Sequence, residues 1–400
     1  MSALPLSGVR VIEMGQLLAG PFTGTLLAYF GAEVIKIEPP KGDPIRQWRA
    51  LDESGTSYWW RSLGRNKKCI TLNLREAEGQ RLAKSLIESS QVLVENFRPG
   101  TMEAWGMGPE AFKQKHPELV YARISGYGQT GPYAHKPGYA SVTEGIGGLR
   151  FVNGHPGQAP VRPNLSLGDT LAGLHTALGI VMALLQVEKG GQGQVVDVAL
   201  FEAIFNLLEG VIPEFSGAGL VREPSGSTIT GIVPTNTYAC SDGHYVVIGG
   251  NGDSIYQRLM LAAGHPELAN HPEMAHNPGR VKHEATIDAA LAGWCAQHTR
   301  DEILAILEEA EVPAGPIYSV ADMFNDEHFH ARELFETVEI NGKPLQIPAL
   351  IPKLASTPGR TCWPGPELHA HNEEVLLPLL GDDEARYQQL VQDGIIGGNE

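Results

Sequence analysis

The sequence predicts an α/β protein: a parallel sheet covered on both sides by helices, followed by a smaller α+β segment. Two observations carry this prediction. Short β-branched runs alternate with helix-compatible stretches through the first half of the chain, as expected of strands buried on both faces. Composition then shifts between Phe215 and Pro234, where serine, glycine and proline cluster as in a linker or mobile loop. At 400 residues, with 42% hydrophobic and 19% charged, the chain has ample material for a core and is too apolar to be disordered.

The elements follow in order. Val9 to Glu13 reads as a strand, with a helix-compatible stretch to about Phe30. Glu33 to Ile37 is a second strand, stopped by Pro39-Pro40, and Cys69 to Leu72 shows an apolar-polar strand pattern. A helix is expected over 76–89, with strands at Val92 to Val94 and Leu119 to Ile124. Thr170 to Glu188 is the strongest helix, because Leu171, Leu174, Leu178, Val181 and Leu185 keep the spacing of a buried face. Asp169 stands at its N-cap position and Gly190-Gly191 at its end. Val195 to Val198 reads as a strand and Phe201 to Leu208 as a helix. Beyond the loop come strands near Thr237 to Cys240 and Tyr245 to Ile248. Helices follow near Ile255 to Ala263, Thr286 to Ala296 and Asp301 to Glu309, and a second break falls at Val312 to Pro316.

Charge narrows the function. The formal net charge of −16 is the wrong sign for a general nucleic-acid binder. Eight basic and four acidic residues lie between Lys36 and Lys68, so a small anion could sit near that stretch, while the tail from Pro366 to Glu400 is strongly acidic. The four cysteines form no CxxC pair and read as reduced thiols of a cytoplasmic protein. The N-terminus lacks the basic and apolar regions of a signal peptide. The apolar run from Leu178 to Val187 is too short to span a bilayer.

Several motifs carry chemistry, each beside a plainer reading. Gly249-Gly250-Asn251-Gly252 follows a strand and precedes a helix; such a loop can turn its amides on an anion, or be an ordinary turn. Gly64-Arg65-Asn66-Lys67-Lys68 offers three cations and an amide to phosphates, or is a solvated loop. Asn96-Phe97-Arg98 lies where the strand Val92 to Val94 ends, the position at which ligands collect in open α/β sheets. Phe97 there would stack on a purine or simply pack in a turn. Gly15 to Pro21 lacks the Lys-Ser/Thr ending of a nucleotide-hydrolysing loop, and neither GxGxxG nor GxSxG is present. His328, His330, His369 and His371 form two HxH pairs without acidic or cysteine partners at ligand spacing, so surface histidines are expected and no metal. Asp169 is a helix cap or an ionised carboxylate able to act as a nucleophile, and spacing does not choose between the two.

Taken together, five motifs in order resemble the class III (family III) CoA-transferases, the formyl-CoA:oxalate and carnitine CoA-transferase family also called CaiB/BaiF. These are Gly31 to Pro39, Arg65 to Lys68, Val94 to Gly100, Gly126 to Pro132 and Gly168-Asp169. The resemblance runs from Leu6 to the C-terminal region. It implies a transferase moving CoA from an acyl-CoA donor, with succinyl-CoA a candidate, to a small carboxylic acid. It implies Asp169 as the nucleophile, Tyr139 beside it, and Gly249 and Gly250 in a mobile loop that closes over the acyl group. CoA contacts are implied at Leu18, Ala19, Asn66, Lys67, Asn96, Phe97, Arg98 and Lys136. Leu18 stands where formyl-CoA transferase has a glutamine, and Pro137 where some members have a CoA-binding lysine. The implied fold has a Rossmann-like large domain over 1–215 and 330–400 and a small α+β domain over 225–325, with linkers at 216–234 and 312–329. The implied assembly is an interlocked, ring-like homodimer.

Acyl-CoA and the acid are then the small-molecule partners, coenzyme A enters as substrate, and no prosthetic group, nucleic acid or membrane is expected. The implied reaction runs through an aspartyl mixed anhydride and an aspartyl-CoA thioester. Amides of the glycine loop would stabilise the oxyanions, and Arg150 or Arg162 would meet a second acceptor carboxylate. Two rival readings stand beside it. An α-methylacyl-CoA racemase shares the fold but needs a histidine where Tyr139 stands. A non-catalytic CoA-binding protein would not depend on Asp169.

Overall fold

The computed structural model describes residues 3–398. Met1 and Ser2, the first residues of the segment read for a signal peptide, lie outside the described residues, as do Asn399 and Glu400 at the end of the acidic tail. The chain forms two compact units. One comprises Met1–Leu149, Pro163–Leu208 and His330–Glu400, the other Arg150–Arg162 and Glu209–Phe329.

The first unit is built on six parallel strands: β1 (Arg10–Glu13), β2 (Glu33–Glu38), β3 (Lys67–Thr71), β4 (Val92–Glu95), β5 (Val120–Ser125) and β6 (Val195–Ala199). Their order is β3-β2-β1-β4-β5-β6. Because side chains alternate along a strand, each strand feeds two cores. Val11, Val34, Val92, Val94, Val120 and Ala122 join Leu26, Leu27, Ala177 and Ile180 on one face. Ile12, Ile35, Leu93 and Tyr121 join Leu82, Leu86, Met102 and Phe112 on the other. The α/β prediction therefore holds, and the strand order reverses between β1 and β4, the place at which open α/β sheets hold ligands beside the strands' carboxyl ends.

The helix Leu167–Glu188 differs from its prediction in two ways. It begins at Leu167 with Ser166 as N-cap, so Asp169 lies inside the first turn and is not the cap. Its apolar stripe also faces outward: Leu174, Leu178, Val181, Met182 and Leu185 are exposed. The buried face is made of small residues, among them Gly168, Ala172, Gly173, Thr176, Ala177 and Ala183. Small side chains let the helix Ala19–Tyr29 approach so closely that the Thr23 hydroxyl donates to the carbonyls of both Ala19 (3.0 Å) and Gly173 (3.1 Å). At 22 residues the helix is longer than the run Leu178 to Val187 and, by length and composition only, apolar enough to cross a membrane. Here it covers the sheet, packed on β5 and β6.

The second unit holds an antiparallel sheet of β7 (Thr235–Ala239), β8 (Tyr245–Gly249) and β9 (Ala314–Pro316). Three helices close its core, Asp253–Ala262, Glu284–Cys295 and Arg300–Glu309, burying Tyr238, Ile248, Leu259, Leu291 and Leu307. A helix, Val211–Ala218, enters the stretch expected to be loop. The hairpin of β10 (Phe335–Ile340) and β11 (Lys343–Pro348), in the first unit, was not anticipated. Its turn is Asn341-Gly342, with φ of 51° and 75°, the two-residue form whose twist matches paired strands.

Candidate active site

Asp169 lies in the first turn of the helix Leu167–Glu188 and is half-buried. The unpaired amides of a helix start carry partial positive charge, which favours an ionised carboxylate there. The helix Ala140–Ile146, whose N-cap is Tyr139, packs against this helix, with Ala140 beside Gly168. Tyr139 and Asp169 are the chain neighbours of the two residues in that contact. Tyr139 is 71% exposed.

The motif that follows β4 lies at the switch point between β1 and β4. Asn96 is half-buried, and its amide is committed: it accepts from the Gln16 N–H at 2.8 Å and donates to the Gln16 carbonyl at 2.8 Å. Phe97 is not the free stacking platform the sequence allowed. It packs on the core, edge-on to Trp105 with ring centres 5.1 Å apart. Arg98 is exposed. Leu18 and Ala19 are buried, Leu18 against Ile45, Trp60, Leu63 and Cys69. Lys136 is exposed, its ammonium 3.6 Å from the centre of the Tyr133 ring.

Asn66 and Lys67 require correction. Asn66, at φ 59°, donates to the Arg360 carbonyl (2.8 Å) and accepts from the Cys362 N–H (2.6 Å), binding the C-terminal segment to the sheet. Lys67 is fully buried, pairs with Glu13 at 2.7 Å and donates to the Pro21 carbonyl at 2.6 Å. Neither side chain is presented to a phosphate. The surrounding cations are likewise paired, some within the stretch and some across the fold: Lys36 with Glu13 and Asp43, Arg46 with Glu38, Arg61 with Asp52 and Glu367, Arg65 with Glu336, and Lys68 with Glu33 and Glu374. The acids within the stretch, joined by Glu13, Glu33, Glu336, Glu367 and Glu374 from outside it, turn an apparent anion site into structure. His369 and His371 are not surface histidines either: Nδ1 of His369 bonds the Thr71 hydroxyl (2.8 Å), and Nδ1 of His371 accepts from the Cys69 N–H (3.1 Å).

In the second unit, the glycine loop is tied down. The Gly249 N–H donates to the Pro313 carbonyl and the Gly250 N–H to the Pro234 carbonyl, both at 2.9 Å. In this conformation neither amide can serve as the oxyanion donor that the sequence suggested. A fully buried Arg280 grips the loop, donating to the Asn251 carbonyl at 2.7 Å and pairing with Asp253 at 2.9 Å.

The residues that sequence reasoning missed are Glu13, Lys36 and Asp43, which lie buried around the end of β1. Their signal was available: Lys36 and Glu38 interrupt the apolar run of a strand predicted to be buried on both faces.

The fold is that of a doubly wound α/β protein with a switch point between β1 and β4 and a helix-borne carboxylate in the same unit. Residues 6–372 match the model of CoA-transferase family III, and the chain belongs to that family. It is 45% identical to the succinyl-CoA–D-citramalate CoA-transferase of Chloroflexus aurantiacus, over 96% of this chain and 97% of that one. It is 31% identical to the succinate–glutarate CoA-transferase of Agrobacterium fabrum, over 94% and 96%. A solved CaiB/BaiF family protein from Brucella suis superposes with a TM-score of 0.83 at 33% identity, covering 94% of this chain and 100% of that one. The protein is thus an enzyme that transfers CoA, with CoA thioesters as substrates.

Proposed function

We propose that this enzyme moves CoA from succinyl-CoA to a small dicarboxylic or hydroxydicarboxylic acid, with Asp169 as the group that is acylated. The observation that carries the reading is a half-buried carboxylate in the first turn of a helix, where the helix dipole favours negative charge. The donor is supported by the relatives from Chloroflexus aurantiacus and Agrobacterium fabrum, whose names pair succinyl-CoA or succinate with citramalate or glutarate.

The steps balance without an added reactant. The Asp169 carboxylate attacks the donor thioester carbonyl; the C–S bond breaks and CoA leaves as thiolate, giving a mixed anhydride. The thiolate attacks the aspartyl carbonyl and releases the donor acid as carboxylate, leaving an aspartyl-CoA thioester. The acceptor carboxylate attacks that carbonyl and expels the thiolate. The thiolate then attacks the acceptor acyl carbon, forming the new acyl-CoA and restoring Asp169. Each carboxylate consumed returns one carboxylate, so no net proton moves. The thioester energy is conserved, so no prosthetic group is required. Water would hydrolyse every intermediate, so the site must exclude it.

In this reading CoA lies at the β1/β4 switch point, against the Gly15 to Ala19 backbone and exposed Arg98, with Lys136 nearer the solvent. A homodimer is part of the proposal, supported by exposed Leu174, Leu178, Met182 and Leu185 along one helix. A cytoplasmic location fits the four free cysteines.

The test is to incubate the enzyme with succinyl-CoA, quench with hydroxylamine and locate the adduct by mass spectrometry. The adduct is expected at Asp169, and Asp169→Ala should lose about 10³-fold or more in transfer rate. Full activity in that folded variant would remove the nucleophile assignment.

A further inference from the structure

Six ionisable side chains lie buried around the end of β1: Glu13, Glu38 and Asp43 against Lys36, Arg46 and Lys67. Their charges balance. Buried ion networks seldom stabilise a fold more than apolar residues of the same volume would, because the desolvation cost offsets the attraction. What these charges touch is therefore informative.

They touch one short loop. Lys36 Nζ donates to the Gly15 carbonyl at 2.6 Å. Both oxygens of Asp43 accept from the Leu17 N–H, each at 3.1 Å. Between them, Asn96 bonds both the N–H and the carbonyl of Gln16. Four successive backbone polar groups thus end on side chains from three other segments. Leu17 has φ 64°, a left-handed conformation that a leucine keeps only when its surroundings hold it there. Lys36 is held in turn by Glu13 at 2.9 Å and Asp43 at 3.0 Å, and the other oxygen of Glu13 meets Lys67. A Cβ at Gly24 would collide with that same Glu13 oxygen, so the glycine keeps room for the pair. Burial opposes the charge on Lys36, but Glu13, Asp43 and Glu38 more than offset it and hold the ammonium above its ordinary pKa.

We propose that Lys36 and Asp43 are positioning residues for acyl-CoA: they clamp the Gly15 to Leu17 backbone in the shape against which the substrate docks, and Glu13, itself paired with Lys67, holds Lys36 in place. This rests on the reading that CoA binds at the β1/β4 switch point. The clamp explains why ionic groups are retained where apolar packing would serve stability, and why the loop adopts a strained turn without glycine at position 17.

The test measures KM for acyl-CoA, KM for the acceptor, kcat and Tm in four variants of the full-length enzyme. Asp43→Ala removes the acceptor of the Leu17 N–H and should raise acyl-CoA KM about tenfold, as expected for loss of one hydrogen bond to a charged group. Acceptor KM should stay within about twofold, since the clamp touches the CoA loop alone. Asp43→Asn keeps an acceptor oxygen and should recover most of the loss. Lys36→Met keeps the length of the side chain, leaves Glu13 its pair with Lys67 and Asp43 its backbone amides, and takes the donor from the Gly15 carbonyl; it should stay folded and raise acyl-CoA KM several-fold, and it decides the matter if Asp43→Ala does not fold. An unchanged acyl-CoA KM in folded Asp43→Ala or in Lys36→Met overturns the proposal, as does an equal rise in both KM values. Arg98→Ala separates the two readings. If it raises acyl-CoA KM while the clamp variants do not, the clamp alone fails. If no variant moves that KM, the switch-point site fails with it.

Discussion

Two strand-to-helix loops in this enzyme are held by the same chemistry at different depths. In the first unit, the loop after β1 is gripped by Lys36 on a carbonyl and Asp43 on an amide, and every charge in the set is buried. In the second unit, the loop after β8 is gripped by Arg280 on the Asn251 carbonyl, with Asp253 as its counter-ion. There the cation is buried, but Asp253 is half exposed and also meets an exposed His276 at 2.8 Å. The first set is insulated from salt and solvent. The second is open to both. A buried cation can fix irregular backbone in either setting, but only the insulated network resists changes in medium.

The largest expected effect breaks the inner network. Glu13→Ala leaves Lys36 and Lys67 buried without their shared counter-ion, and urea unfolding should show a loss of about 3–5 kcal/mol. A loss comparable to that of a surface pair would mean that solvent reaches the site. Next, Arg280→Ala strips donors from the carbonyls of Val233, Asn251, Met274 and Ala275. It should destabilise the second unit by about 3 kcal/mol, read from amide exchange confined to that unit.

Smaller effects sharpen the contrast. Glu95, at the end of β4, is pushed up to about 7 by burial, against the pull of Arg123. A carboxyl whose folded pKa is raised loses stability as pH climbs from its unfolded value to the folded one. Stability should therefore decline between about pH 4.5 and 7, and Glu95→Gln should flatten that slope in a series of urea titrations. Asp253 behaves in the opposite sense: hydrogen bonds from His276 and Arg280 hold it below its ordinary 3.8. Its contribution is present above that value and is lost as pH falls through the lower folded one. The smallest effect is that of salt. Raising NaCl at neutral pH should shrink the Tm difference between Asp253→Ala and the parent while leaving that of Glu13→Ala unchanged.

Much of the sheet was legible because a strand buried on both faces writes its own pattern. Val9 to Glu13, Glu33 to Ile37 and Val92 to Val94 are apolar runs between breakers, and each is a strand. Asp169 was legible through its family motif, but its position was misjudged by three residues because Leu167 and Gly168 do not look like helix starters. The β10/β11 hairpin did carry a signal, the Asn341-Gly342 pair, which went unread between short polar strands.

The outward stripe on Leu167–Glu188 shows where periodicity stops. Spacing says that residues share a face, and burial depends on what else can approach. Here a row of small residues admits the neighbouring helix more closely than leucines would.

The amino-acid sequence by itself determined the strand–helix alternation, the family motifs and the placement of a carboxylate near a helix start, because each depends on neighbours within a few residues. Tertiary structure alone decided that Lys67 serves Glu13 and Asn66 serves Arg360, and that the Gly249 and Gly250 amides are already bonded. A charge or an amide takes its role from the partner it meets across the fold, and in a sheet whose neighbours are distant in sequence, that partner is chosen by topology.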